Sequence, residues 1–90
     1  MNDAERELYV AITAIWSGLR RARGMSREEL AARIGRSAKT VERYEIMAQM
    51  PVISTLMLIA TALGTTLQRL LDSAAILSGH AERNTAVTGR

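Results

Sequence analysis

Apolar residues recur at three- and four-residue spacing along most of the chain, and Gly and Pro cut that rhythm into five helical pieces. In the first, about Asp3 to Arg23, one stripe is formed by Leu8, Ala11, Ile12, Ile15, Trp16 and Leu19. Gly24 follows it as a residue tolerant of left-handed backbone. The second piece opens on a capping box, in which Ser26 can accept from the Glu29 amide while Glu29 reaches back to the Ser26 amide. Met25 and Leu30 flank the box at the positions of a hydrophobic staple. Leu30, Ala31 and Ile34 then face inward until Gly35 stops the helix after two turns.

Ser37 is a good cap for a third short helix, with Val41 and Tyr44 inward three residues apart. Its other side collects Ala38, Lys39, Glu42, Arg43 and Ile46. The fourth piece runs from roughly Val52 to Leu63, with Leu56, Ile59, Ala60 and Leu63 as its core set and Gly64 as its stop. Thr65 or Thr66 caps a fifth, which carries Leu67, Leu70, Leu71 and Ala74 and continues to Leu77 before Gly79. The polar, small-residue-rich stretch His80 to Arg90 is expected to be disordered. The pattern predicts an all-α domain over 16–78, a helical extension over 1–15 and a tail over 79–90.

Within this pattern Arg27 to Ile46 forms a mechanical unit. Two short helices meet at Gly35-Arg36-Ser37, and Leu30, Ile34, Val41 and Tyr44 bury the angle between them. Ala31 is small enough to let the helices approach, and Gly35 accepts the turn conformation. The outer face of the second of these helices is thereby held rigid.

Composition changes the picture in two ways. The chain is 48% hydrophobic but has no Phe, one Trp and two Tyr, so aliphatic side chains must fill the interior, a mix that favours helix over sheet. Without cysteine there is neither a disulfide framework nor a thiolate metal site, and no cofactor is expected. The reduced cytosol, at the nucleoid, is the expected compartment. An export signal is not expected, because Asp3, Glu5 and Glu7 are acidic where such a signal is basic. No charged residue occurs from Ile46 to Gln68, but Pro51, Ser54, Thr55, Thr61 and Gly64-Thr65-Thr66 divide that stretch too often for a membrane span.

Charge is uneven. The formal net charge of +3 conceals residues 20–43, where eight bases against three acids leave a net of +5. Such concentration fits a polyanionic partner, since neutralising phosphates releases condensed counterions; a solvated arginine-rich face is the alternative.

Together these residues resemble the phage Cro and repressor type of helix-turn-helix, also called the xenobiotic-response-element type. The resemblance spans about Trp16 to Leu71 without a gap, through Leu19-Arg20-Arg21-Ala22-Arg23-Gly24-Met25-Ser26, Glu29-Leu30-Ala31, Gly35, Ser37, Thr40-Val41, Glu45, Pro51, Leu56, Ile59-Ala60 and Ala62-Leu63-Gly64. It implies a five-helix lambda-repressor-like domain, here with an extended first helix, that usually acts as a dimer on palindromic DNA operators. It also implies base reading by Ala38, Lys39 and Arg43 with Glu42 beside them, and phosphate contact near Ser37 and Thr40. Lys39 or Arg43 suits guanine O6 and N7, and Glu42 can accept from a cytosine amine or pair with its basic neighbours. Arg20 and Glu45 match a common structural ion pair of the family.

Three departures stand out. Arg27 replaces a frequent phosphate-touching glutamine and is expected to keep that contact. Arg36 replaces a commonly apolar turn residue and is expected to add a base near the DNA face. The loop around Met47 and Met50 lacks the usual basic residues, and with Val52 and Leu58 it is expected to expose an apolar patch for a dimer or another protein. The alternative is a loop folded back on its own core. Ile76 and Leu77 are further interface candidates.

Two other classes compete with a DNA-binding regulator such as a phage or plasmid repressor or an antitoxin-like autoregulator. One is a protein-interaction module of the same fold, binding transcription machinery or a toxin-like partner. The other, an enzyme, is not expected, since one histidine and no clustered carboxylates leave no acid-base pair.

Overall fold

The computed structural model describes residues 1–79 and consists there of five helices: α1 (Asp3–Ala22), α2 (Arg27–Ile34), α3 (Ala38–Glu45), α4 (Ile53–Ala62) and α5 (Leu67–Leu77). The stretch 80–90, expected to be disordered, lies outside the described residues. Among the described residues there is no strand, and no helix is long and apolar enough to cross a membrane.

Local chemistry sets the helix ends. The Asn2 side chain caps α1, Ser26 forms the full capping box of α2, Ser37 caps α3, and Thr66 rather than Thr65 caps α5. The α4 N-cap is Val52, which has no side-chain acceptor to offer, so the fully buried Pro51 before it fixes that entry by packing instead.

Helix α1 packs on α5 and touches α3, while α2 packs on both α3 and α4. Trp16, Leu30, Val41, Ile59, Leu63 and Leu70 meet at the centre, each at most 1% exposed. Each such side chain contributes roughly 1.5 to 3 kcal/mol by leaving water. Leu8, Ile15 and Leu19 of the expected α1 stripe are only half-buried, because they pack at its margin.

The α2–α3 bend depends on Gly35, which caps α2 in the left-handed region at φ 69° and ψ 36°. Leu30 and Ile34 on one side of the bend and Val41 and Tyr44 on the other are all buried. The angle between the two short helices is thus filled with side chains, and α3 turns its opposite face to solvent.

Candidate nucleic-acid interface

Lys39 and Arg43, four residues apart, lie on the same side of α3 and are exposed, while Ala38 and Glu42 beside them are half-buried. Lys39 Nζ approaches Glu42 Oε1 at 3.7 Å, an exposed contact worth little in water. The Arg43 side chain has no hydrogen bond or ion pair among the described residues. At the head of the same helix Ser37 Oγ accepts from the Thr40 amide at 3.1 Å, and the two hydroxyls lie 3.0 Å apart. The helix therefore begins with two hydroxyls and one fixed amide, followed by two cations a turn apart.

What holds this face is a buried network on the other side of α3. Arg20 Nε donates to Glu45 Oε2 at 2.8 Å, the side chains being 9% and 5% exposed. Arg20 also donates to the Met25 carbonyl at 2.8 Å, which ties the α1–α2 turn into the same cluster. Ser17 Oγ donates to Glu45 Oε2 at 2.9 Å and accepts from Arg21 at 2.8 Å.

Arg27 is drawn into this cluster, its Nε donating to Glu45 Oε1 at 2.6 Å. The residue expected at phosphate is thus first a partner of Glu45, although its side chain remains 43% exposed. Glu45 raises the pKa of the Arg27 guanidinium by accepting this hydrogen bond and by its charge. On Glu45 burial pushes the pKa up, yet hydrogen bonds from Arg20, Arg27 and Ser17 outweigh it and hold the carboxyl below its ordinary value.

Arg36, expected to add a base near the DNA face, is exposed and has partners within the chain. Its guanidinium donates to the Ile34 and Gly35 carbonyls at 3.3 and 3.2 Å and to Thr55 Oγ1 at 3.3 Å. A cation belongs there, since the carboxyl end of α2 carries unpaired carbonyls and partial negative charge. Arg36 thereby joins α2 to α4.

The methionine loop is also corrected in part. Met47 has φ 63°, a left-handed geometry for a side chain that is not Gly, and folds back on α1, where its sulfur accepts from Thr13 Oγ1 at 3.5 Å. Met47 and Met50 are half-buried. Exposed apolar side chains stand before them at Ile46 and after them at Val52, Ile53, Met57 and Leu58, with Ile76 and Leu77 exposed at the end of α5. Ile53 and Met57 were not among the residues expected from sequence; their one-turn spacing on the face opposite Leu56 and Ile59 was the available signal. No cluster of three or more His, Cys, Asp or Glu that could hold a metal occurs among the described residues.

Residues 19–70 match a family model described as helix-turn-helix, so that more than half of the chain is covered, from the end of α1 into α5. No curated protein and no solved structure matches the chain.

Proposed function

Because the chain belongs to the Cro/repressor-type helix-turn-helix family of DNA-binding regulators, we propose that it is a sequence-specific transcriptional regulator acting as a dimer on a palindromic operator, most simply as a repressor. In this reading the outer face of α3 enters the major groove, which admits one helix. Lys39 and Arg43 read guanine edges and Glu42 accepts from a cytosine amine, with Ala38 giving the close approach that apolar contact to a thymine methyl needs. Ser37 and Thr40 meet phosphate, and Arg27 does so through the part of its side chain left exposed beside Glu45. Arg36 is assigned instead to the α2–α4 joint.

The observation that carries the reading is the contrast across α3. Val41 and Tyr44 are locked in the core while Lys39 and Arg43 stand exposed on the opposite side. A solvated basic face needs no such fixation; base readout does, because bidentate hydrogen bonds tolerate little misalignment.

Selection from a random-sequence duplex pool, followed by affinity measured against salt, tests it. The expected result is an enriched two-fold symmetric motif and affinity falling steeply with salt. Absence of any enriched motif would overturn it in favour of an interaction module of the same fold, a second reading that the exposed apolar side of α4 supports.

A further inference from the structure

Helix α4 is apolar on both sides. Thr55, Leu56, Ile59 and Ala60 are buried, but the opposite face, Ile53, Ser54, Met57, Leu58 and Thr61, is uncharged and exposed. Those five positions step by one and three residues along the chain, so they form one continuous stripe. Thr61 donates its hydroxyl to the Met57 carbonyl at 3.0 Å, which leaves Ser54 as the stripe's sole uncommitted hydroxyl. Val52, 63% exposed, extends the stripe at its start. A helix apolar all round is ordinarily covered on every side.

The outer face of α1 is the obvious rival, with exposed Val10 and Ala14. That face also carries Asp3, Arg6, Glu7 and Arg21, charged groups that water solvates well. The α4 stripe lies inside the uncharged run Ile46–Gln68 and has no such groups. Exposure therefore costs more at the α4 stripe than on that α1 face, and an apolar, uncharged surface complements it.

Building on the proposed dimeric regulator, we infer that the α4 stripe is the dimer interface and that its occupant is the same stripe of a second copy, related by a two-fold axis. Two-fold pairing places like on like, a condition that charged faces meet poorly and an uncharged apolar face meets without penalty. The stripe follows α3 after the short connection 46–52, and α2 packs on both α3 and α4, so pairing through α4 carries two α3 helices in one assembly. Heterologous partners would need a matching apolar face of their own; a second copy supplies one by construction.

The full chain contains no cysteine, so a single introduced thiol reports proximity cleanly. Sedimentation across micromolar concentrations should show monomer and dimer in exchange, with Ser54→Cys linking to dimer under a short bis-maleimide and Val10→Cys failing to do so. Ile53→Lys and Met57→Lys should each weaken association by at least about tenfold, since each places two like charges across the axis. Circular dichroism keeps this readable as long as the helical signal is retained; Leu58→Gln serves where a lysine variant does not fold. A wild type that stays monomeric, linkage through Val10→Cys but not Ser54→Cys, or lysine variants that still dimerise would each overturn the assignment. Binding to a single half-site separates it from the DNA-binding reading: monomeric variants should bind a half-site as wild type does and lose only the gain from a full palindrome.

Discussion

Arg20 and Glu45, 25 positions apart, join the last turn of α1 to the last residue of α3 through a 2.8 Å hydrogen-bonded ion pair that is almost wholly shielded from water. Glu45 is shared among Arg20, Arg27 and Ser17, so three elements converge on one carboxylate. The orientation of α3 relative to α1 is set there.

Removal of that carboxylate should be severe. Glu45→Ala leaves the Arg20 guanidinium buried without its charge partner, and breaking a buried pair in this way costs roughly 3 to 5 kcal/mol. Urea unfolding of the two proteins at neutral pH measures the difference. A loss below about 1 kcal/mol would mean that the pair behaves as a surface contact.

The same carboxylate makes stability depend on pH. Burial raises its pKa, but the hydrogen bonds from Arg20, Arg27 and Ser17 bring the folded value below the unfolded one. Between the two values the unfolded chain binds more protons, so stability rises with pH there. The contribution is complete above the ordinary carboxylate range and disappears as pH falls through the depressed folded value. The stability gap between wild type and Glu45→Gln should accordingly be widest near neutrality and close on acidification. A gap that stays constant into strong acid would show that charge at Glu45 is not what holds α3.

Two glycines should respond to alanine with opposite signs. An added Cβ meets nothing within 4 Å at either Gly18 or Gly35, so neither substitution is decided by space. Gly35 sits at φ 69°, and alanine there should cost about 1 to 2 kcal/mol through backbone strain alone. Gly18 lies inside α1 with ordinary helical backbone, and alanine should stabilise by about 0.5 to 1 kcal/mol. Thermal unfolding of both variants tests the pair of signs; equal shifts would contradict it.

What the sequence revealed follows the range of the interaction. The capping box at Ser26 and Glu29, the left-handed Gly35 and the buried quartet of the bend depend on neighbours a few residues away, and each is legible in spacing. Arg20 with Glu45 was accessible only through resemblance to a family, because nothing local joins them. Arg27 and Ser17 reach the same carboxylate from 18 and 28 positions away, a convergence created by how three helices cross. The partners of Arg36 were not legible, because a basic residue in a basic segment points to phosphate and spacing does not show its guanidinium turning back to the carbonyls that end α2. Met47 takes a left-handed backbone at φ 63°, and its sulfur accepts from Thr13, 34 positions away, a contact that no local spacing announces.

Lys39 and Arg43 should separate in their effects on DNA. Both are exposed on the α3 face, but Lys39 has Glu42 at 3.7 Å while Arg43 has no partner to surrender on binding. Arg43, moreover, offers a planar fork that matches guanine O6 and N7, where Lys39 offers a point charge. Arg43→Ala should therefore cost about 1 to 3 kcal/mol on the selected duplex and relax one symmetry-related pair of positions in the motif. Lys39→Ala should lose less, because its removal also frees Glu42 from a weak pair. Anisotropy titrations over a range of salt, with repeated selection for each variant, measure both. Should neither substitution alter the selected motif, α3 is not the reading helix; should both weaken every sequence equally and lower the salt slope by about one, they touch phosphate and not bases.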